Sequence, residues 1–193
     1  MTDRRTFILG TAAALLLPAP AFARTRFRRL FDGRSLAGWT AVGDANWRVE
    51  QGALTADDGD ISFLVSRESF RDFELRVEFW VSPDANSGIF IRCRDRSTIT
   101  VANAYEVNIF DLRPDPTYGT GAIVNVAAVS PLRPAGGRWS VLAIRADGDR
   151  FDVRLNGIAT VAGARDSTHR EGPIALQYGA GLVRFRRVEL RTL

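Results

Sequence analysis

Lysine is missing from this chain. All 26 basic residues are arginine, set against 22 acidic residues and one histidine, for a formal net charge of +4. The arginines are spread along candidate strands (Arg76, Arg92, Arg145, Arg154, Arg184) and form no basic stripe, which argues against nucleic acid as a partner. Cysteine occurs once, so no intrachain disulfide can staple the fold. Its parity with Ile89 and Ile91 places Cys93 in the core as a small hydrophobe. The single histidine, His169, lies in the polar stretch 165–171, and without a Cys/His cluster a zinc site is excluded. Nothing in the sequence assigns a cofactor.

Long apolar runs are equally scarce. The one candidate, residues 8–17, is stopped by Pro18 and Pro20, well short of the roughly 20 residues that a membrane span needs. Arg4-Arg5-Thr6-Phe7 precedes that run and Ala21-Phe22-Ala23 follows it in small-x-small form. Residues 1–23 therefore read as a twin-arginine export signal, and 24–193 as a mature domain without a membrane anchor, periplasmic or secreted from a bacterium. About 170 residues suffice for one domain with a real core.

Helical periodicity is absent over any long stretch. Short alternating segments broken by Gly, Asp, Asn and Pro predict an all-β, antiparallel sandwich. Phe73, Leu75, Val77 and Phe79 alternate with charged residues, as do Phe151, Val153 and Leu155, after which Asn156-Gly157 supplies a type I′ hairpin turn. Leu75, Val77, Phe79, Phe151, Val153, Leu155 and Phe185 are the predicted core. Val183 and Phe185 differ in parity from Val188 and Leu190, which calls for a bulge near Arg186-Arg187. The acidic run Asp57-Asp58-Gly59-Asp60 lacks the spacing of a calcium loop and reads as a solvated turn.

Chemistry concentrates between residues 86 and 111. On the strand Tyr105-Glu106-Val107-Asn108-Ile109, Glu106 and Asn108 point to one face and Val107 and Ile109 to the other. Arg92 shares a face with Gly88 and Phe90 by the same alternation. A carboxylate, an amide and a guanidinium on neighbouring strands suit a sheet that binds or cleaves sugars; a plain solvated face, or a Glu106–Arg92 ion pair, gives the same pattern. The irregular stretch 111–120 follows directly and is expected at the rim of such a site. Asp111 is either a second carboxylate or a cap on that loop.

Leu30-Phe31-Asp32-Gly33-Arg34-Ser35-Leu36-Ala37-Gly38-Trp39 resembles the opening of the 3-keto-disaccharide hydrolase domain family. Further landmarks follow in the family's order: Asn86-Ser87-Gly88-Ile89, Tyr105-Glu106-Val107, Thr120-Gly121-Ala122-Ile123, Leu155-Asn156-Gly157 and Gly172-Pro173-Ile174-Ala175-Leu176-Gln177. The resemblance spans 27–193 and implies a concanavalin-like jelly roll acting on glycosides oxidised to a ketone at C3. The ketone acidifies the C2 hydrogen; a base removes it, the C1 oxygen departs by β-elimination, and water adds back. Under that resemblance Glu106 is the base and Arg92 the donor to the C3 oxygen. Asn108, Asp111, Gln177 and Asn86 are candidates for substrate binding, and Tyr105 or Trp80 for stacking. It also implies a functional link to a sugar 3-dehydrogenase. This chain departs from the family twice: Asn108 stands where Gln is common, and Gly179 where many members carry His. A carbohydrate-binding, lectin-like sandwich without a positioned base is the alternative.

Overall fold

The computed structural model describes residues 26–193, so the expected export signal lies outside the described residues. In chain order the strands are β1 (Arg28–Arg29), β2 (Trp39–Val42), β3 (Arg48–Glu50), β4 (Ala53–Ala56), β5 (Ser62–Ser66), β6 (Phe73–Val81), β7 (Ser87–Ile91), β8 (Tyr105–Ile109), β9 (Ser140–Asp147), β10 (Arg150–Leu155), β11 (Ile158–Arg165), β12 (Ala175–Tyr178) and β13 (Val183–Thr192). The larger sheet runs β11-β10-β9-β6-β13-β4-β3, with β1 paired on β13; the smaller runs β2-β5-β12-β7-β8. Neighbouring strands are antiparallel throughout both sheets.

On β6 the apolar residues at 73, 75, 77, 79 and 81 turn inward and Glu74, Arg76, Glu78 and Trp80 turn out. Burying one such face on each sheet makes the sandwich, and every predicted core residue lies within it. Asn156 and Gly157, at φ 49° and 82°, close the β10–β11 hairpin, and Gln51 and Gly52 do the same between β3 and β4. The expected bulge is present. β13 pairs with β6 in step from Val183 to Arg186, and the register then shifts before resuming at Glu189. Arg187 adopts φ 48° there, which returns Val188 and Leu190 to the interior. In the 57–60 turn, Asp57 pairs with Arg48, and Asn46 accepts from the backbone of Asp57 and Asp58.

The smaller sheet is buried on both faces along β7 and β8. Ile89, Ile91, Val107 and Ile109 face the larger sheet. Phe63, Val65, Phe90 and Ala175 form a second apolar cluster on the outer face, covered by Cys93, Ile99 and Ala104 from the segment 92–104. Cys93 is therefore buried, but outside the sandwich and not beside Ile89 and Ile91. The reason is Arg92, whose φ of 54° ends the strand and inverts the alternation after Ile91. The free edge of β8 is closed by residues 120–124: Val124 N donates to Glu106 O, Asn108 N to Ala122 O, and Gly121 N to Asn108 O, at 2.9–3.1 Å. An otherwise unpaired edge is thus satisfied, and further side chains are laid along the outer face.

Candidate functional site

β7 and β8 pair so that Gly88 lies opposite Asn108 and Phe90 opposite Glu106. β12 pairs with β7 through Ala175↔Phe90, which puts Gln177 on the same outer face. Alternation then gathers Glu106, Asn108, Gly88, Gln177 and Asn86 onto one surface. Gly88 makes the gathering possible. A methyl group at its Cβ position would lie 3.0 Å from Glu106 Oε1 and 3.2 Å from Gln177 Oε1. The two side chains therefore converge over the bare backbone of β7.

Glu106 is only 7 % exposed, with Phe90 opposite it and Val124 alongside, both buried. Its carboxylate receives no hydrogen bond among the described residues, and burial pushes its pKa up to about 7, against the opposing charge of Arg113. Desolvation without compensating donors penalises the charged form, so this carboxyl exchanges its proton near neutrality. Gln177 Oε1 and Asn108 Oδ1 are likewise buried without a partner. Such orphaned acceptors are rare in folded proteins, and Gln177, the more open of the two, is placed to receive a ligand hydroxyl.

The structure separates the remaining candidates. Arg92 does not join Glu106. Its side chain turns inward over the Phe151 ring, 5.1 Å from the centroid, and is 1 % exposed. There it donates to Arg71 O (2.9 Å), Gly148 O (2.7 Å), His169 O (3.3 Å) and Asp72 Oδ1 (3.1 Å). Arg92 is a structural tie between loops, placed on the wrong side by the same positive φ that displaces Cys93. Asp111 is also committed elsewhere. It accepts from Thr120 Oγ1 and from the backbone N–H groups of Ala135 and Gly136, clamping the 111–120 loop to the chain beyond it. Asn108 reaches the expected face but is fully buried, and its Nδ2 donates to Tyr118 O at 2.6 Å. It anchors the loop rather than meeting solvent.

Tyr105 points into the core, where its hydroxyl donates to Asp166 and accepts from His169 N. Trp80 lies on the other sheet under Arg184. Neither flanks Glu106. Asn86 stands beside Gly179: it pairs with Ala180, and its Nδ2 lies 3.0 Å from where a Cβ on Gly179 would be. Any side chain at Gly179 would therefore press on the Asn86 backbone and carboxamide.

Sequence reasoning missed two residues. Arg113, half-buried in the loop after β8, places a positive charge that acts on the Glu106 carboxyl, and it carries no ion pair among the described residues. Loops have no alternation to reveal such a position. Gly88 sits within a quoted motif, but the bare backbone that lets two side chains converge is a tertiary property.

A two-sheet antiparallel sandwich with a buried carboxylate and amides on one outer face is a concanavalin-like jelly roll with a candidate carbohydrate site. The chain belongs to the 3-keto-alpha-glucoside-1,2-lyase-like domain family, whose sequence model matches residues 26–191. A 3-keto-disaccharide hydrolase of Bacteroides thetaiotaomicron is 36% identical over 55% of this chain and 45% of its own, so this chain spans under half of that relative. A candidate glycosyl hydrolase from Parabacteroides distasonis has a TM-score of 0.76 at 15% identity, covering 86% of this chain and 94% of that one. The carbohydrate-binding module CBM66 from Bacillus subtilis follows at 0.64 and 21% identity, covering 80% and 96%. These two likenesses establish the fold.

Proposed function

We propose that this protein cleaves the glycosidic bond of glycosides oxidised to a ketone at C3. The observation that carries this reading is Glu106, a buried carboxyl free of donors, with its pKa near 7, facing Gln177 across Gly88. A base poised near the working pH combines the right protonation state with useful proton affinity. Glu106 takes the proton from C2, and the C2–H electron pair forms the enolate of the C3 ketone. The enolate collapses to expel the C1 oxygen, which leaves with its electron pair and takes the proton held by Glu106, giving the free alcohol and a C1=C2 double bond conjugated to the ketone. Water adds at C1 and a proton returns to C2, so the net change is hydrolysis. Arg113 takes the role first expected of Arg92, supplying positive charge to the enolate oxygen. Gln177 and Asn86 receive the sugar hydroxyls.

The decisive experiment incubates the protein with 3-keto-glucosides and their unoxidised parents. The oxidised sugars are expected to be cleaved with exchange of the C2 hydrogen, and the parents to remain intact. Binding of the oxidised sugars without cleavage would identify a lectin-like sandwich instead. An oxidoreductase that dehydrogenates C3 must supply such a substrate.

Two variants probe the geometry. Arg113→Gln removes the charge that opposes the burial of Glu106, so the acidic limb of the pH–rate profile should move to higher pH. Turnover should fall by roughly 10²-fold, the scale of losing one electrostatic donor. An unmoved limb would disconnect Arg113 from Glu106. Gly88→Ala meets no backbone objection, because Gly88 is not in the left-handed region. Its methyl group must push Glu106 and Gln177 aside by a few tenths of an ångström, so the rate should fall measurably, by less than the roughly 10²-fold that a misplacement of about 1 Å costs. The melting temperature should change little; unaltered kinetics would show that the convergence does not matter.

We further propose export through the twin-arginine route. Changing Arg4-Arg5 to a lysine pair should leave the protein in the cytoplasm, as followed by fractionation. Normal export of that variant would reject the route.

A further inference from the structure

Away from Glu106, at the end of the smaller sheet where β7 runs out, lies an open cavity of about 560 Å³. Three segments build it, and backbone hydrogen bonds knit them together: Phe70 and Gly172 exchange N–H···O bonds at 2.9 and 3.2 Å, and Cys93 N donates to Pro173 O at 3.2 Å. The approach is so close that a Cβ on Gly172 would fall 2.1 Å from Cys93 O. On this scaffold stand Arg94, Arg96 and Arg170, with Ser69 and Thr168 between them and Glu171 as the one lining carboxylate. Arg96 also lines the adjoining 440 Å³ cavity, with Arg67.

None of these four guanidinium groups has an ion pair among the described residues. Several arginines elsewhere in the fold are matched. Arg145 and Arg191 meet Glu74, and Arg186 and Arg187 meet Glu78. Of the carboxylates near this cavity, Asp95 holds Ser97 and Glu68 holds Arg28, while Glu171 in the lining offsets part of the positive charge. Arg96 is pre-set, donating to Ser66 O at 2.7 Å and Ser69 Oγ at 2.8 Å. His169 also lines the cavity, 3 % exposed and with Nδ1 unpartnered. Burial, aided by Arg94, holds its pKa down, so the arginines supply the positive charge.

We propose that this cavity binds an oxyanion, the phosphate or carboxylate group of a small ligand, through Arg94, Arg96 and Arg170. Guanidinium groups match both anions as planar, charge-assisted donors, and the cavity is of ordinary ligand size. The site does not include Glu106 and does not depend on the glycosidase reading.

Calorimetric titration with inorganic phosphate and, separately, with glucuronate tests this without any turnover assay. Heat of binding is expected from at least one, and the responding anion tells whether the cavity favours phosphate or carboxylate geometry. Affinity should fall roughly tenfold or more in Arg94→Gln/Arg170→Gln, since charge-assisted pairs are lost. It should also weaken as salt is raised from about 50 to about 300 mM, as surface electrostatics do. Neither guanidinium makes a side-chain hydrogen bond among the described residues, so the double variant should fold; the single Arg170→Gln gives the same test in milder form. Arg34→Gln, elsewhere on the surface, should bind as the unaltered protein does. No binding of either anion, or binding indifferent to the Arg94 and Arg170 substitutions, overturns the proposal.

Discussion

Glu106→Gln is expected to lower turnover of a 3-keto-glucoside by about 10²-fold or more, the usual scale for a lost general base. The amide is nearly isosteric, so sugar affinity should persist. In the unaltered protein kcat/KM should rise with pH through about 7, where the Glu106 carboxyl loses its proton, and that limb should vanish in the variant. Stability supplies an independent readout. Burial raises the carboxyl from its ordinary value of 4.5 to about 7, so between those values the folded protein holds a proton that the unfolded chain has released. Stability therefore declines as pH rises from about 4.5 to about 7 and reaches a plateau above, by a total of about 3 kcal/mol. The glutamine carries no charge and escapes that decline. The variant should be less active and, above neutrality, more stable, while near pH 4 the two proteins should melt alike. Retained turnover in a folded variant would remove Glu106 from the mechanism.

Arg92→Ala should do the reverse. The substitution deprives three backbone carbonyls and Asp72 of their donor and empties a site packed over Phe151. Breaking a buried charged network by removing one partner costs about 3–5 kcal/mol. For a domain of this size that is a fall in melting temperature on the order of 10 °C. Lysine should recover only part of the loss, because a point charge cannot reproduce the fork that reaches several carbonyls at once. Measured cold, where the variant remains folded, kcat should stay within a factor of roughly two or three, as for a residue that shares no partner with the base. A large fall in kcat with stability preserved would instead return Arg92 to the active site.

The contrast between these two residues marks where alternation is a sound guide. Inside β8, period-two geometry places Glu106 and Asn108 on the outer face. One residue past the end of β7 it fails, because Arg92 adopts a positive φ that no pattern of apolar and polar residues announces. Arginine there is as hydrophilic as on any solvated strand, yet it is among the most buried side chains of the protein. His169 lies in a polar run as well, yet Tyr105 and Arg92 draw its backbone into the interior. Asp111 could be read either way, and its three donors come from residues 9 to 25 positions further along the chain.

The sequence by itself determined the two-layer architecture, because alternating apolar residues on successive strands can be buried only by pairing two sheets face to face. It also located the turns and the bulge, since Asn156-Gly157, Gln51-Gly52 and a change of parity are local facts with local consequences. It singled out Glu106 as the carboxylate on the outer face. Tertiary structure alone decided what surrounds that carboxylate. Gly88 opens the space over β7, and Phe90 and Val124 remove water from beside it. The loop after β8 brings Arg113 within range of its charge, while Arg92 is turned away. Local pattern specifies which side of a strand a residue occupies, whereas the proton affinity of Glu106 depends on groups from distant parts of the chain that meet only when the sheet is assembled.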